Sequence, residues 1–416
     1  MKIAYVMPHS YEHFHPKQMS EYDSPENLDY RILCKSDNCE HRFCSATQLV
    51  GIKPIFYYFS SCAKNTMEFI HKYGYPMKKM PVISIMNKIP FWKYEKYGWE
   101  FSYTLLKQLS NDAPDLIFVF TYALNAFLPL DMYDILALYC KKNKYPLIAR
   151  HGGSSAQCLI LNGRYTFYGR LLIKKSTLNM ADKIIVPSQR EFFILRDYLE
   201  IERGKLVLLK DPVDYNNFYE IPKEIAAKKL DKDPTKKYVL FVGRMDIGKG
   251  IQHIISVLPQ LIKTYPNIVF LIVGTGPLEN EIRRLVREKR LQDHVCIEGL
   301  VFHDSLKFYY NIADVFVLPS YSEGSPNVIQ EALACNTPSV GTSVGAIPDI
   351  LSDGIGIIIP PIDRSIDIRL FEGMKKILDG NFEINQEKRK RLLNEWSMRN
   401  VGQRLKAIYE EVLRKY

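Results

Sequence analysis

The chain has 416 residues, 47% of them hydrophobic and 25% charged, with a formal net charge of +10. That length predicts two domains of roughly 200 residues each, and the balance of apolar and charged residues excludes both a disordered and a fibrous chain. The positive excess predicts an anionic partner, a class that takes in nucleotide phosphates, anionic lipid headgroups and nucleic acid.

In chain order, MKIAYVMPHSYEH opens directly on a strand around Ile3, with neither the apolar stretch nor the small-residue cleavage site of a secretory signal. Apolar runs follow near Ile55, Leu116, Leu147 and Ile184 with helical stretches between them, and this alternation predicts a parallel sheet. Between Lys64 and Lys96, Lys72, Lys78, Lys79, Lys88 and Lys93 are interleaved with Tyr73, Tyr75, Phe91, Trp92 and Tyr94, opposed by Glu68 and Glu95. Such a stretch reads either as a solvated basic face with aromatic stems packed inward or as an interface, peripheral membrane contact included. No apolar run reaches transmembrane length. Cys140, Cys158 and Cys296 lie in apolar surroundings and read as small core side chains. The expected compartment is therefore a reducing cytoplasm, at the inner face of the membrane if anionic lipid is the partner.

A second series of strands is predicted near Leu240, Phe270, Cys296, Phe316, Val340 and Ile357, which makes two doubly wound sheets in tandem. Between the two series, KEIAAKKLDKDPTKK from Lys223 to Lys237 has the composition of an exposed connector and marks the domain boundary. From Trp396 to Tyr416, Val401, Leu405, Ile408, Tyr409 and Val412 recur at helical spacing, so the chain closes on an amphipathic helix.

Three strand-to-helix turns of the second half carry the chemistry, because a helix start offers free backbone amides and a positive dipole end to an anion. In FVGRMDIGKG, Gly243 ends a strand while Arg244 and Lys249 bring two cations to the helix mouth; Gly250 stands where a phosphate loop has its metal-binding hydroxyl, against an NTPase. In IVGTGPLENEI, Gly274, Gly276 and Pro277 open a helix, but Glu279 replaces the third glycine of the dinucleotide fingerprint, against a nicotinamide enzyme. Both a ligand contact and a purely structural turn fit these two glycines. In PSYSEGSPNVIQEALAC, Ser325 and Pro326 read as cap and first residue of a helix. Glu323 precedes them and Glu331 follows within the helix, leaning back toward its mouth. Two carboxylates there suit a hydroxyl-rich ligand such as a ribose or a sugar.

Together these segments resemble glycosyltransferase family 4 through nearly the whole second half: GRMDIGKG, VGTGPLE, EGSPNVIQEALAC, GTSVGAIPDIL and WSMRNVGQRLKAIYEEVL. The resemblance implies a retaining, nucleotide-sugar-dependent enzyme of the glycosyltransferase-B architecture, an α/β fold of two tandem Rossmann-like doubly wound domains facing across a cleft. Residues 1–222 with 396–416 would bind the acceptor, a glycan or a lipid-linked molecule, and 223–395 the nucleotide sugar, the last helix returning to the first domain. By position, Arg244 and Lys249 would hold the diphosphate and Glu331 the ribose. Gly243, Gly274, Gly276, Val301, Gly324, Ser325, Asn327 and Val328 would complete the donor site. Glu323 and, in IARHGGSS of the first half, His151 would be the catalytic residues beside the donor sugar. The resemblance implies neither a metal nor a cofactor, and Asp231 and Asp233 fall in the lysine-rich connector rather than in a metal-binding DxD. The chain departs from the family's pattern in PHSYEHFHP, where a glycine pair often follows the first strand, in DPVD at Asp211, and at Asn336, Ala346 and Asp349.

The competing enzyme class is a nucleotide-sugar epimerase or hydrolase on the same fold, while nucleic-acid binding lacks any aromatic-basic recognition motif. Two clusters stay open between metal ligands and ordinary side chains: His9, His13 and His15, and Cys34, Cys39, Cys44 and Cys62 with His41, whose spacing is not the CxxC of a zinc knuckle.

Overall fold

The structure is a computed structural model. It describes residues 1–10, 39–60, 63, 65–84, 100–121, 132–152, 175–361 and 363–416. The chain divides into two compact units, residues 1–212 with 398–416 and residues 213–397.

The first unit contains β1 (Lys2–Ser10), α1 (Cys39–Gln48), β2 (Lys53–Ser60), β3 (Met67–Ile70), β4 (Pro76–Pro81), β5 (Ile83–Ser84), β6 (Glu100–Phe101), α2 (Leu105–Asp112) and β7 (Leu116–Thr121). It continues with α3 (Met132–Asn143), β8 (Leu147–His151), β9 (Lys183–Val186), α4 (Gln189–Asp197) and β10 (Leu206–Leu208). Eight strands form one sheet in the order β10-β9-β8-β7-β1-β2-β4-β3, parallel throughout except for β3. LIFVFT of β7 is buried along its whole length, as a central parallel strand covered on both faces must be. One face packs Val6, Val119 and Ala149 under Leu105, Leu109, Leu136 and Leu195; the other packs Tyr5, Phe118 and Phe120 under Phe43.

The second unit runs α5 (Lys223–Leu230), β11 (Lys237–Val242), α6 (Ile251–Thr264), β12 (Ile268–Val273), α7 (Glu279–Glu288), β13 (Val295–Gly299), α8 (Leu306–Ile312) and β14 (Val315–Leu318). It ends with α9 (Asn327–Ala334), β15 (Ser339–Thr342), α10 (Ile347–Leu351), β16 (Ile357–Ile359), α11 (Ile366–Leu378) and α12 (Gln386–Trp396). Its sheet, β13-β12-β11-β14-β15-β16, is entirely parallel. The chain steps outward from β11 through β12 to β13 and then returns to lay β14 on the opposite side of β11. The strand order therefore reverses between β11 and β14, the point at which open parallel sheets bind their ligands.

The last helix, α13 (Met398–Leu413), belongs to the first unit. It buries Val401, Leu405, Tyr409 and Val412 in the same core as Tyr5 and Phe118, and the Tyr5 and Tyr409 hydroxyls meet at 2.7 Å. Gly402 lets it lie against α1, since a Cβ there would fall 2.1 Å from the Ala46 carbonyl oxygen.

The Lys223–Lys237 segment is not a connector. Its first eight residues form α5 inside the second unit, burying Ala226 and Ala227, while Lys223 pairs with Asp314 at 2.8 Å. Two adjacent alanines suffice to anchor one helical face while the lysine stems reach solvent, and the second unit begins ten residues earlier, at Val213. The basic-aromatic stretch is also less exposed than its composition predicts. Lys78 and Lys79 are buried in β4, Lys78 between Asp112 (2.7 Å) and Glu68 (2.8 Å), and Tyr75 is buried too; Lys88, Lys93, Phe91, Trp92 and Tyr94 lie outside the described residues.

Candidate active site

The three turns singled out in the second half converge at the C-terminal edge of the second sheet. The first two are tied through their backbones, the Gly243 amide donating to Val273 O at 3.0 Å and Met245 to Thr275 O at 2.9 Å, and the second is tied to the end of β13 by Gly274 donating to Gly299 O at 2.7 Å. A Cβ on Gly274 would stand 2.0 Å from Gly243 O, and one on Gly276 would stand 2.4 Å from Met245 O. These glycines are therefore required by the close approach of neighbouring loops, which accounts for them without a ligand.

The loop after β11 meets the loop after β14 at the reversal point. Asp246 caps the short turn Ile247–Lys249 by accepting the Lys249 amide at 3.2 Å, and the Tyr321 amide donates to Gly248 O at 2.8 Å. Across this junction Lys249 Nζ donates to Glu323 Oε1 at 2.6 Å, and the Ser320 hydroxyl donates to the same oxygen at 2.6 Å. Glu323 is 5% exposed, and a carboxylate at this depth needs hydrogen-bond donors such as these two. Its backbone is fixed as well: Thr342 Oγ1 donates to Ser320 O at 2.6 Å, and Gly345, at φ +55, passes so close that a Cβ would fall 2.0 Å from Glu323 O. Arg244 stands apart, half exposed, its Nε 3.4 Å from Asp246 Oδ2.

Helix α9 begins one residue later than its sequence predicts. Pro326, at ψ 92, occupies the cap position, Asn327 is the first helical residue, and no side chain caps the helix. The Ser325 hydroxyl is not the cap; it and Asn327 Oδ1 are enclosed atoms without a hydrogen-bond partner among the described residues. Enclosed polar atoms in this state are rare in folded proteins. Gly324, whose carbonyl accepts the Ala346 amide at 3.0 Å, lies beside them.

Glu331, in the second turn of α9, is buried and shares its two oxygens: Tyr310 OH donates to Oε2 at 3.0 Å, and His303 Nε2 lies 3.1 Å from Oε1. Burial, and after it the charge of Glu331, push the nearby Cys335 thiol well above its ordinary value, which leaves it an inert packing residue. Val301 and Val328 are half-buried and pack on the core of the second unit.

In the first unit, His151 ends β8 and is fully buried, with Nδ1 2.7 Å from Oε1 of the equally buried Glu191. Glu191 stands in the first turn of α4, where the capping Ser188 hydroxyl accepts its amide at 3.0 Å. Beside His151, Arg150 and Asp211 form a second buried pair. His13, His15, Cys34 and Cys62 lie outside the described residues, as do the side chains of His9 and Cys39. Cys44 is a buried free thiol and the His41 ring meets Tyr75 OH at 2.7 Å; among the described residues no group of three or more His, Cys, Asp or Glu is placed to hold a metal.

The sequence alone singled out Lys249, Glu323 and Glu331, but not Ser320, His303, Tyr310, Thr342 or Gly345. A serine three residues before Glu323 is a weak local signal, and Thr342 and Gly345 fall within the quoted GTSVGAIPDIL, whereas His303 and Tyr310 carry none.

Residues 222–395 match the family model described as glycosyl transferases group 1. The gpi3 subunit of phosphatidylinositol N-acetylglucosaminyltransferase from Schizosaccharomyces pombe is 25% identical over 199 residues, 46% of this chain and 43% of that protein. The chain thus spans less than half the length of the curated relatives it matches first. Among solved structures, a sucrose-phosphate synthase from Thermosynechococcus elongatus superposes over 100% of both chains, with a TM-score of 0.72 and 20% identity. Anabaena HepE in complex with UDP-glucose does so over 100% of both chains with a TM-score of 0.67 and 14% identity. The whole chain therefore has the two-sheet fold of glycosyltransferase-B enzymes, and its second unit carries the sequence match that supports a group 1 glycosyltransferase.

Proposed function

We propose that the chain is a retaining glycosyltransferase that takes a sugar from a nucleoside-diphosphate sugar, without a metal ion, and passes it to a glycan or lipid-linked acceptor. The observation that carries this reading is the Lys249–Glu323 pair at the strand-order reversal, beside the uncapped start of α9. As the bond from the anomeric carbon to the diphosphate breaks, negative charge grows on the leaving oxygens. Lys249, Arg244 and the α9 dipole answer that charge with fixed positive ends, the part a divalent cation plays elsewhere. Ser325 and Asn327 flank this mouth and complete the proposed donor site.

Glu323, oriented by Lys249 and Ser320, accepts hydroxyls of the donor sugar, and Glu331 accepts the ribose diol. Retention follows if the acceptor hydroxyl attacks from the side on which the diphosphate leaves; no side chain is assigned as a covalent nucleophile. The names of similar proteins agree with the chemistry, since one is an N-acetylglucosaminyltransferase named for phosphatidylinositol and another is solved with UDP-glucose.

The test is a panel of UDP- and GDP-sugars incubated with and without acceptor glycans and glycolipids. Acceptor-dependent release of nucleoside diphosphate, with the anomeric configuration kept in the product, is expected. Equally fast release to water, or epimerisation of the free donor, contradicts transfer. His151, the first unit's candidate, is tested in the same assay as His151→Ala.

A further inference from the structure

Tyr310 and His303 both reach Glu331, but they are built differently. Tyr310 is fully buried in α8, its ring edge-on to Phe218 and Phe316 at 5.9 and 5.7 Å, and its carbonyl accepts the Thr337 hydroxyl at 2.8 Å. His303 stands on a short turn, His303–Ser305, its side chain 24% exposed and its ring edge-on to Phe218 at 4.9 Å. A phenol at this depth has one proton to give and gives it to Oε2. An imidazole gives a proton from Nε2 only in the right tautomer, so something must select that tautomer.

Asn217 selects it. Lys307 Nζ, a donor only, lies 3.4 Å from one end of the Asn217 amide, which fixes that end as Oδ1. The other end, Nδ2, lies 3.4 Å from both the carbonyl oxygen and Nδ1 of His303. An amide nitrogen only donates, so Nδ1 accepts and the ring proton sits on Nε2, the atom 3.1 Å from Glu331 Oε1. The three contacts are mutually consistent with this assignment. Donation from Tyr310 to one oxygen and from His303 to the other fixes the plane of the Glu331 carboxylate.

We propose that His303 is a positioning residue: Asn217 fixes its Nε2–H tautomer, and that N–H aims Glu331 at the ribose of the donor nucleotide. This rests on the reading of Glu331 as the ribose contact. Substrate does not touch His303; its effect passes through Glu331 and concerns binding rather than bond breaking.

The test measures the affinity for UDP and for GDP by calorimetry, together with donor KM and kcat, in the wild type, Glu331→Ala, His303→Ala, His303→Gln and Asn217→Ala, with the melting temperature of each. Loss of a hydrogen bond to a charged group predicts that His303→Ala weakens nucleotide binding and raises KM about tenfold while kcat changes less than about twofold. Asn217→Ala, which frees the tautomer, is expected to fall between wild type and His303→Ala. His303→Gln places an amide donor where Nε2–H stood and is expected to recover most of the affinity. A purely structural role predicts instead that His303→Gln is no better than His303→Ala, and that outcome overturns the proposal. If Glu331→Ala weakens binding while His303→Ala binds as the wild type does, the proposal fails and the ribose reading stands. If Glu331→Ala binds as the wild type does, the ribose reading itself fails.

Discussion

Lys249 and Glu323 meet at 2.6 Å from two loops that are more than seventy residues apart in the chain, and each constrains the other. Removing a group that stabilises developing charge typically costs ~3 kcal/mol of barrier, so Lys249→Ala is expected to lower kcat about 100- to 1000-fold. Its removal also takes one of the two donors from the buried Glu323 carboxylate, so the melting temperature is expected to fall as well, and kcat is compared well below it. Glu323→Ala should abolish transfer to a similar degree, as measured by release of nucleoside diphosphate in the presence of acceptor. Gly345→Ala tests the support rather than the chemistry: a Cβ 2.0 Å from Glu323 O must displace that backbone, so melting temperature and turnover should fall together. Undiminished activity in that variant would show that Glu323 tolerates movement. At this scale the sequence reveals residues whose identity is unusual for their place, such as a lysine and two glutamates around glycine turns. It does not reveal Thr342, His303 or Tyr310, because a threonine, a histidine or a tyrosine acquires its role here only when parallel strands or α8 bring it beside a distant carboxylate.

Among the elements, α13 shows how a periodic pattern becomes a docking contact. Its apolar residues recur at helical spacing, which is legible without a structure; the surface that receives them, α1 and the β1–β7 face, is not. Gly402→Ala sets a Cβ 2.1 Å from Ala46 O and is expected to push α13 off α1, so that limited proteolysis removes the C-terminal helix from the variant before the wild type is cut. Tyr409→Phe keeps the packing and removes one buried hydroxyl, for a loss of about 1 kcal/mol by denaturant titration. Two elements show where composition misleads. The lysines of α5 disguise a helix as a connector because two alanines are enough to anchor it. At the end of α9, Asn336 adopts φ +59, the left-handed conformation that glycine commonly supplies, so the departure from the family's glycine keeps the turn that follows the helix.

For the molecule as a whole, two groups of the first unit couple stability to pH. His41 is held well below its ordinary 6.5 by burial, and then by His71 and Lys72. As the pH falls through 6.5 the unfolded chain takes up this proton and the folded chain does not, so stability declines with acidification from that point. Burial raises Asp112, but hydrogen bonds from Lys78, Tyr57 and Gln108 outweigh it and hold the carboxyl below its ordinary 3.8. That contribution is present above 3.8 and is lost as the pH falls through the lower folded value. Melting temperature should therefore drop between about pH 7 and 5, and His41→Gln should flatten the drop; a curve unchanged by the substitution would assign the effect elsewhere. The two tandem sheets were legible from the alternation of strands and helices, since buried parallel strands must be continuously apolar. Two of the three turns singled out in the sequence, those after β11 and β14, fall where the order of the second sheet reverses, the place of the proposed donor site. The measurement closest to the central claim is calorimetric binding of UDP and GDP to the wild type and to Lys249→Ala. The account predicts that the wild type binds at least one of them and that the variant binds it about tenfold more weakly or worse. Equal affinity in the two proteins, or no binding of either nucleotide by the wild type, would contradict it.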